Sequence, residues 1–345
     1  MENNEKAYYE KVDIDNELKL RKQLAALPPY CKQYFIAIES KTQSRTRLAY
    51  AYDLSCFFDY LHENNPICKK MSITEIPLSI LESLKPMDLE EYLYNLKVYE
   101  KDGMAHTNEE RGIKRKLSSL RSFYKYLTTK AKLLDENPMQ DLDSPRLKKS
   151  LPRYLDLEES LELLDSVDGA NQTRDYCILT LFLNCGLRIS ELVGLNVTDV
   201  RDDQLRVLGK GNKERILFLN SACQKAIQDW LTERNMISLN GEKALFVSPT
   251  RRKRLSTAAV HKLVKKHLAQ AGLDSSQYSS HKLRHTAATL MLQNGVDVRT
   301  LQEVLGHDHL NTTQIYTHVD NEDLRTAARA NPLASVRKKT KPKET

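Results

Sequence analysis

Three short words near the carboxy-terminal end constrain this chain more than any other stretch. They are His281-Lys-Leu-Arg284-His285, Leu305-Gly306-His307 and, nine residues further on, Tyr316. A hydrophobic core needs none of them. His281 and Arg284 lie three apart, so at a helix start both side chains point to one side. The apolar positions over 298–305 repeat at helical spacing and stop at Gly306, which places His307 just past a helix end. The sum is a cationic cluster with one phenol downstream. A phenol is a weak nucleophile at neutral pH, because its free pKa is about 10. Fixed positive charge and hydrogen-bond donors favour the phenolate. The same donors would hold a phosphate diester and stabilise its pentavalent transition state. The expected chemistry is attack of a tyrosine on a DNA phosphate, through a covalent phosphotyrosyl intermediate.

A chain of 345 residues has room for two domains, each with its own core. Its formal net charge of +7 agrees with a nucleic-acid face, although many unrelated proteins share such an excess. Cys31, Cys56, Cys68, Cys177, Cys185 and Cys223 form no Cys-x-x-Cys pair and mostly sit among apolar neighbours. They read as reduced core residues of a cytoplasmic protein, not as a disulfide frame or a zinc site. The amino terminus is acidic and polar with no signal-peptide pattern, and no apolar run is long enough to span a membrane.

Residues 1–27 form a charged extension with helical character around Glu17–Leu24, ended by Pro28-Pro29. From Tyr30 to Leu127 the pattern is helical. Tyr34, Phe35, Ile36 and Ile38 mark one run, and Leu48, Tyr52, Cys56, Phe57 and Leu61 a second over Arg45–Leu61. A third helix is expected over Asp88–Tyr99, capped by its aspartate, and a fourth over Asn108–Lys130. The fourth buries Ile113, Leu117, Leu120, Tyr124 and Leu127, and its other side carries Arg111, Lys114, Arg115, Lys116, Arg121 and Lys125. For a lone helix that stripe is a solvated face; beside a phosphate-chemistry module, contact with the DNA backbone is favoured. Residues 137–153 hold three prolines and the basic group Arg146, Lys148 and Lys149, and read as a linker.

A second domain is expected over 154–320. Its helix over Leu155–Val167 has an acidic first turn, which suits the helix dipole. Asp175–Cys185 is apolar enough to be a buried helix, stopped by Gly186. Arg188 then stands among apolar residues, where a guanidinium is costly unless it meets an anion. That anion is either Glu191, three residues on, or a ligand, and this segment alone leaves both open. Two strands, Gln204–Leu208 and Arg215–Leu219, flank a glycine-containing tip with Lys210 at its root. The tip lysine is either an exposed hairpin residue or a group brought to a DNA groove. Arg251, Arg252 and Arg254 form a basic loop, read as a phosphate contact or a solvated turn. Helices are expected over 222–231, 256–271, 279–294, 298–305, 312–317 and 321–330, with a lysine-rich tail to 345. The fold class is mainly α with a small β-hairpin or sheet.

Arg188, Lys210, His281-x-x-Arg284, His307 and Tyr316 occur in the order and approximate spacing of the tyrosine recombinases, the phage integrase family. The flanking words agree: Gly-Leu-Arg-Ile-Ser-Glu-Leu, Gly-Lys-Gly-Asn-Lys-Glu-Arg, His-Lys-Leu-Arg-His-Thr-Ala-Ala-Thr and Leu-Gly-His-x-x-Leu-x-Thr-Thr-Gln-Ile-Tyr-Thr-His. The match is strong over about 155–320, and the helical part before it resembles the core-binding domain more loosely. His307 and the wording of the boxes resemble the Xer branch; the extended amino terminus and the length resemble its single-protein XerS type.

The resemblance implies a two-domain, C-shaped clamp on DNA. Residues 28–136 would be a SAM-like DNA-binding domain, 154–320 the catalytic domain, and 321–345 a helix and basic tail docking on a neighbouring protomer through Leu324 and Leu333. Tyr316 would be the nucleophile, leaving a 3′-phosphotyrosyl link and a free 5′-hydroxyl. Arg188 and Arg284 would grip the non-bridging oxygens, Lys210 would protonate the leaving oxygen, His281 would serve the tyrosine as acid and base, and His307 would donate to the phosphate. Glu191 would support Arg188, while His285 is either a packed helix histidine or a participant. DNA contacts are expected from Lys114, Arg115, Arg121, Lys125, Arg251, Arg252 and Arg254. No metal, ATP or other cofactor is implied. The implied assembly is a homo-tetramer on two copies of a specific double-stranded site, with a septal DNA translocase as activator and chromosome-dimer resolution as the task.

Four other readings stand beside it. A metal enzyme could use His281 and His285 with His307 or His309, but no glutamate follows His281 as a zincin requires, and Arg188, Lys210 and Tyr316 would be left without a role. A non-catalytic DNA-binding protein predicts a decayed catalytic set, whereas all six positions are filled. A mobile-element integrase or excisionase, or a type IB topoisomerase, would share the chemistry and differ in outcome.

Overall fold

The computed structural model describes residues 8–101, 104–140, 142–143, 153–209, 213–306, 325–326 and 328–336. The chain divides into two compact units, Met1–Ser150 and Leu151–Thr345.

The first unit is helical with one small hairpin. α1 (Tyr8–Ala25) packs along α3 (Ser44–Asn64), and α2 (Pro29–Ala37) starts on a proline, whose missing N–H costs nothing in a first turn. α4 (Leu78–Ser83) and α5 (Pro86–Asn95) lead to an antiparallel pair, β1 (Val98–Lys101) and β2 (Met104–Thr107). α6 (Glu110–Lys125) follows and loosens into a π-turn over Tyr126–Lys130. Ile113, Leu117, Leu120, Phe123 and Tyr124 of α6 join Leu54, Phe57, Phe58 and Leu61 of α3 in one core. Each such side chain contributes about 1.5–3 kcal/mol when taken out of water.

Two expectations in this unit are corrected. The helix expected over 88–99 begins at Pro86 and ends at Asn95. Asp88 lies inside its first turn, where a carboxylate oxygen accepts from the Lys85 amide at 2.8 Å, rather than capping it. The chain then turns into the β1–β2 hairpin, and the Asp102-Gly103 dipeptide between the strands was the available sign of it. Lys116, expected on the solvated basic face, is buried. Its Nζ lies 3.4 Å from Asp53 Oδ1 and 3.3 Å from Cys56 Sγ. Arg115 pairs with the other oxygen of Asp53. A fully buried carboxylate is costly without partners, so one α3 aspartate commits two of the six basic residues of α6 to the fold.

The second unit is built around α8 (Gln172–Cys185), in which every residue from Arg174 to Cys185 is buried. α7 (Leu157–Asp165) precedes it behind a capping box. Asp156 accepts from the Glu159 amide at 2.8 Å, and Glu159 from the Asp156 amide at 2.9 Å. α9 (Ile189–Gly194) leads into a sheet of β3 (Val200–Arg201), β4 (Gln204–Leu208) and β5 (Glu214–Phe218), antiparallel in that order. The first of these strands was not expected. α10 (Ser221–Asn235) follows, then the short hairpin β6 (Val247–Ser248) and β7 (Lys253–Arg254) where a loop was expected. α11 (Thr257–Gln270), α12 (Ser280–Gln293) and α13 (Val298–Leu305) follow, with α10 and α12 packed on α8.

Buried charge at the start of α8 is balanced internally. Arg174 forks onto Asp175 Oδ1 at 2.9 and 2.7 Å and also reaches the Val247 carbonyl at 3.1 Å. His267 Nε2 lies 3.1 Å from the other oxygen of Asp175. All six cysteines are free, and five of them are buried.

The described part of the carboxy-terminal segment packs on its own unit. Asn331 Nδ2 donates to the Leu183 carbonyl at 2.8 Å, and the Ala222 amide donates to the Ala334 carbonyl at 2.8 Å. Leu333, expected to anchor on a neighbouring protomer, is fully buried in its own chain here. Leu324 lies outside the described residues.

Candidate active site

Gly186 sets the site's geometry. It ends α8 in the left-handed region at φ 58°, and a Cβ there would stand 2.7 Å from Leu305 Cδ2. Only glycine satisfies both the backbone and the space. The reversed chain delivers Arg188 to the start of α9, where Glu191 accepts from the Arg188 amide at 2.8 Å. The Glu191 carboxylate, almost fully buried, is the hub. Arg188 Nη1 donates to Oε1 at 2.8 Å, and Arg215 of β5 donates to both oxygens at 2.9 Å. Arg284 Nη1 is 3.8 Å from Oε2.

The same three guanidiniums close the carboxy-terminal end of α13, whose last carbonyls have no partner within the helix. Arg215 Nε donates to the Val304 carbonyl at 3.1 Å, Arg284 Nη2 to that of Leu305 at 2.6 Å, and Arg188 Nη2 to that of Gly306 at 3.1 Å. Cations there also complement the helix dipole. Arg284 is further tied to the Gly186 carbonyl at 2.7 Å. Arg188 is the most open of the three, its side chain 34% exposed against 14% for Arg215 and 5% for Arg284.

Three positive groups around one carboxylate leave a surplus of positive charge, and the ionisation of each member follows from it. Burial raises the Glu191 pKa, but the bonds and charge of Arg215, and then Arg188, outweigh it and leave the carboxyl below its usual range. Burial and the neighbouring Arg188 bring Arg284 down to about 10, so it stays charged at neutral pH. At the open start of α12, the His281 and His285 rings meet edge to face, centroids 4.8 Å apart. Partial desolvation, then His285, Arg284, Lys282 and Arg188, push the His281 pKa below the ordinary imidazole value. His285 is lowered by desolvation, Lys282 and Arg284. A neutral His281 beside a cationic cluster can accept a proton from a nucleophile that attacks an anion held there.

The structure thus brings together Arg188, Glu191, His281, Arg284 and His285. Lys210, His307 and Tyr316 lie outside the described residues, although Gly209 and Gly306 immediately precede the first two. Arg215 was missed as a functional residue. It shares a strand face with buried Leu217, and an arginine on the apolar side of a strand was the available signal.

The expected DNA contacts separate by environment. Lys114 and Lys125 are exposed on α6, and Arg251 and Arg252 are exposed at the β6–β7 turn. Arg115 is half-exposed beside Asp53, and Arg121 donates to the Leu142 carbonyl. Arg254 is turned into the fold. Its guanidinium donates to the Val193 and Leu195 carbonyls at 2.6 and 2.9 Å and to Asn196 Oδ1 at 2.5 Å, which fastens β7 to the end of α9. The side chain of Arg111 lies outside the described residues. Among the described residues no group of three His, Cys, Asp or Glu could hold a metal ion, and no helix is long and apolar enough to cross a membrane.

The profile of the phage integrase family matches residues 153–323, and that of the phage integrase N-terminal SAM-like domain matches residues 31–131. The tyrosine recombinase XerC of Caldanaerobacter subterraneus subsp. tengcongensis is 47% identical over 317 residues, covering 89% of this chain and 88% of the relative. Among solved structures, the XerH site-specific recombinase bound to its difH substrate superposes with a TM-score of 0.58 at 24% identity, over 83% of this chain and 79% of that one. A lambda integrase dimer bound to a COC′ core site gives 0.60 at 15% identity, over 84% and 97%. At these identities the two structures establish a shared fold.

Proposed function

The chain belongs to the phage integrase family of tyrosine recombinases, and from that premise we propose that it is a site-specific recombinase that resolves chromosome dimers at cell division. The observation that carries the reading is the trio Arg188, Arg215 and Arg284 gathered on Glu191 and on the α13 end that runs into His307. Tyr316 Oη attacks the scissile phosphorus while the bond to the 5′ oxygen breaks. His281 takes the phenolic proton, and Lys210 supplies one to the leaving oxygen. Arg188 and Arg284 stabilise the non-bridging oxygens, with His307 as a further donor. The 3′-phosphotyrosyl bond keeps the energy of the broken diester, so a 5′-hydroxyl from the partner strand reverses the step without ATP.

Strand exchange calls for four protomers on two sites. In that assembly residues 321–345 dock on a neighbour, which requires the seat now made by Asn331, Leu333 and Ala334 on their own unit to open. The single-protein XerS type is supported by the amino-terminal extension, and a septal DNA translocase is its expected activator. The site of action is the cytoplasm. Phosphate contacts are assigned to Lys114, Lys125, Arg251 and Arg252; Arg115 and Arg121 lie near the first two but are held by Asp53 and by the Leu142 carbonyl.

The test is covalent trapping. Nicked duplexes carrying candidate chromosome-dimer sites, and a randomised pool, are incubated with the protein in EDTA and run on denaturing gels. An adduct that resists EDTA and disappears in Tyr316→Phe is the expected result, and the trapped sequence separates a chromosomal site from the end of a mobile element. Tight site binding without an adduct, unrelieved by a translocase, would leave a DNA-binding protein that does not cut.

A further inference from the structure

We propose that Arg215 is a positioning residue for cleavage, one that ties the root of the β4–β5 hairpin to Glu191 and to the last turn of α13. The inference rests on the recombinase reading. Arg215 lies opposite Val207 in the register, one pair in from the tip. The Gly209 amide closes the strands by donating to the Lys213 carbonyl at 2.8 Å. A Cβ on Gly209 would stand 3.6 Å from Arg215 Nη1 and 3.8 Å from Glu191 Oε1. A Cβ on Gly306 would stand 3.2 Å from the Arg215 side chain. One guanidinium therefore lies beside the roots of the two segments that continue into Lys210 and His307, and through Glu191 it meets Arg188.

The fork is what makes this possible. Two donors go to the two oxygens of Glu191 and a third to the Val304 carbonyl. A lysine ammonium is a point charge and cannot span the three acceptors in one plane. The Arg215 side chain is also largely covered, so it acts through the groups it holds and not on the DNA itself. Its effect falls on the donor carried by the hairpin. As the Tyr316 Oη–phosphorus bond forms and the phosphorus–5′-oxygen bond breaks, the leaving oxygen must receive its proton from Lys210. A displacement of that donor by about 1 Å is enough to cost about 10²-fold in rate.

The experiment compares two nicked duplexes of the same site, one with the ordinary phosphodiester and one with a 5′-bridging phosphorothiolate. Sulfur leaves as a thiolate and needs no proton, so a fault in leaving-group protonation disappears on the second substrate. Arg215→Met and Arg215→Lys should form the adduct about 10²-fold more slowly than the unmodified protein on the first substrate, and within about tenfold of it on the second. Lys210→Ala should show the same recovery and Arg188→Ala should not. Site affinity should stay within about twofold, as for a residue that does not touch the phosphate. Equal losses on both substrates, or full activity of Arg215→Lys, would overturn the proposal. If the unmodified protein forms no adduct on either duplex, with or without a translocase, the recombinase reading fails instead.

Discussion

Glu191 shares its two oxygens among guanidiniums from three elements, and its response to acid follows. Its folded pKa lies below the ordinary carboxylate value near 4.5, so in falling pH the unfolded chain takes up the proton first. The stabilisation is complete above that value and is lost as pH drops through the lowered one. The thermal unfolding temperature should therefore decline more steeply below pH 4.5 in the unmodified protein than in Glu191→Gln. At pH 7 the substitution should cost about 3–5 kcal/mol in denaturant titrations, because it leaves buried arginines short of a counter-charge. His281 gives a kinetic counterpart. Its pKa is depressed, so it is neutral at pH 7 and cleavage should fail only below its usual value of 6.5. Lys282→Gln removes one of the charges that depress it, and the acid limb of the pH–rate profile should move upward. Identical profiles for the two proteins would remove His281 from the proton path.

At the scale of elements, the site depends on two helix ends meeting. Gly186 ends α8 and Gly306 follows α13, both in the left-handed region, and the arginines bind across the gap. Gly186→Ala should cost at least about 1–2 kcal/mol from the backbone alone. The Leu305 contact adds to that, because the new methyl would overlap its side chain. Calorimetry would measure the loss, and cleavage should fall with it, since Arg284 is held by the Gly186 carbonyl. The glycine stop after Cys185 and the helix over 298–305 were legible from periodicity and from glycine. That Arg284 bonds to both ends, and that Arg188 and Arg215 join it on the end of α13, was not, because carbonyl acceptors leave no trace in side-chain identity. The same limit explains Lys116 and Arg254. A basic residue facing solvent and one facing a buried acceptor look alike until the partner's position is known.

Across the whole molecule, affinity for DNA should be strongly salt-dependent. The logarithm of the binding constant should fall with a slope of about −0.9 per phosphate contacted. Lys114→Ala, Lys125→Ala and Arg251→Ala should each reduce the magnitude of that slope by about one. Arg254→Ala should behave differently, lowering the melting temperature through the lost tie between β7 and α9 while leaving the slope unchanged. Filter binding across a salt series, with thermal melts of the same variants, would separate exposed cations from those committed to the fold.

The helical character of both units, the buried helix α8, the two longer strands and the reaction class could be read along the chain, because they depend on periodicity, glycine stops and the spacing of residues with rare chemistry. The β1–β2 hairpin lost to helical periodicity, and the short strands β3 and β7 were too brief to register as a pattern. Tertiary structure alone decided which charges work inside the fold. Asp53 claims Lys116, Asp175 meets His267 as well as its chain neighbour Arg174, and Glu191 binds Arg215 as well as the expected Arg188. The physical reason is common to all three: a buried carboxylate is tolerated only with its counter-charge beside it, and that partner is chosen by distance in space, which separation along the chain does not encode.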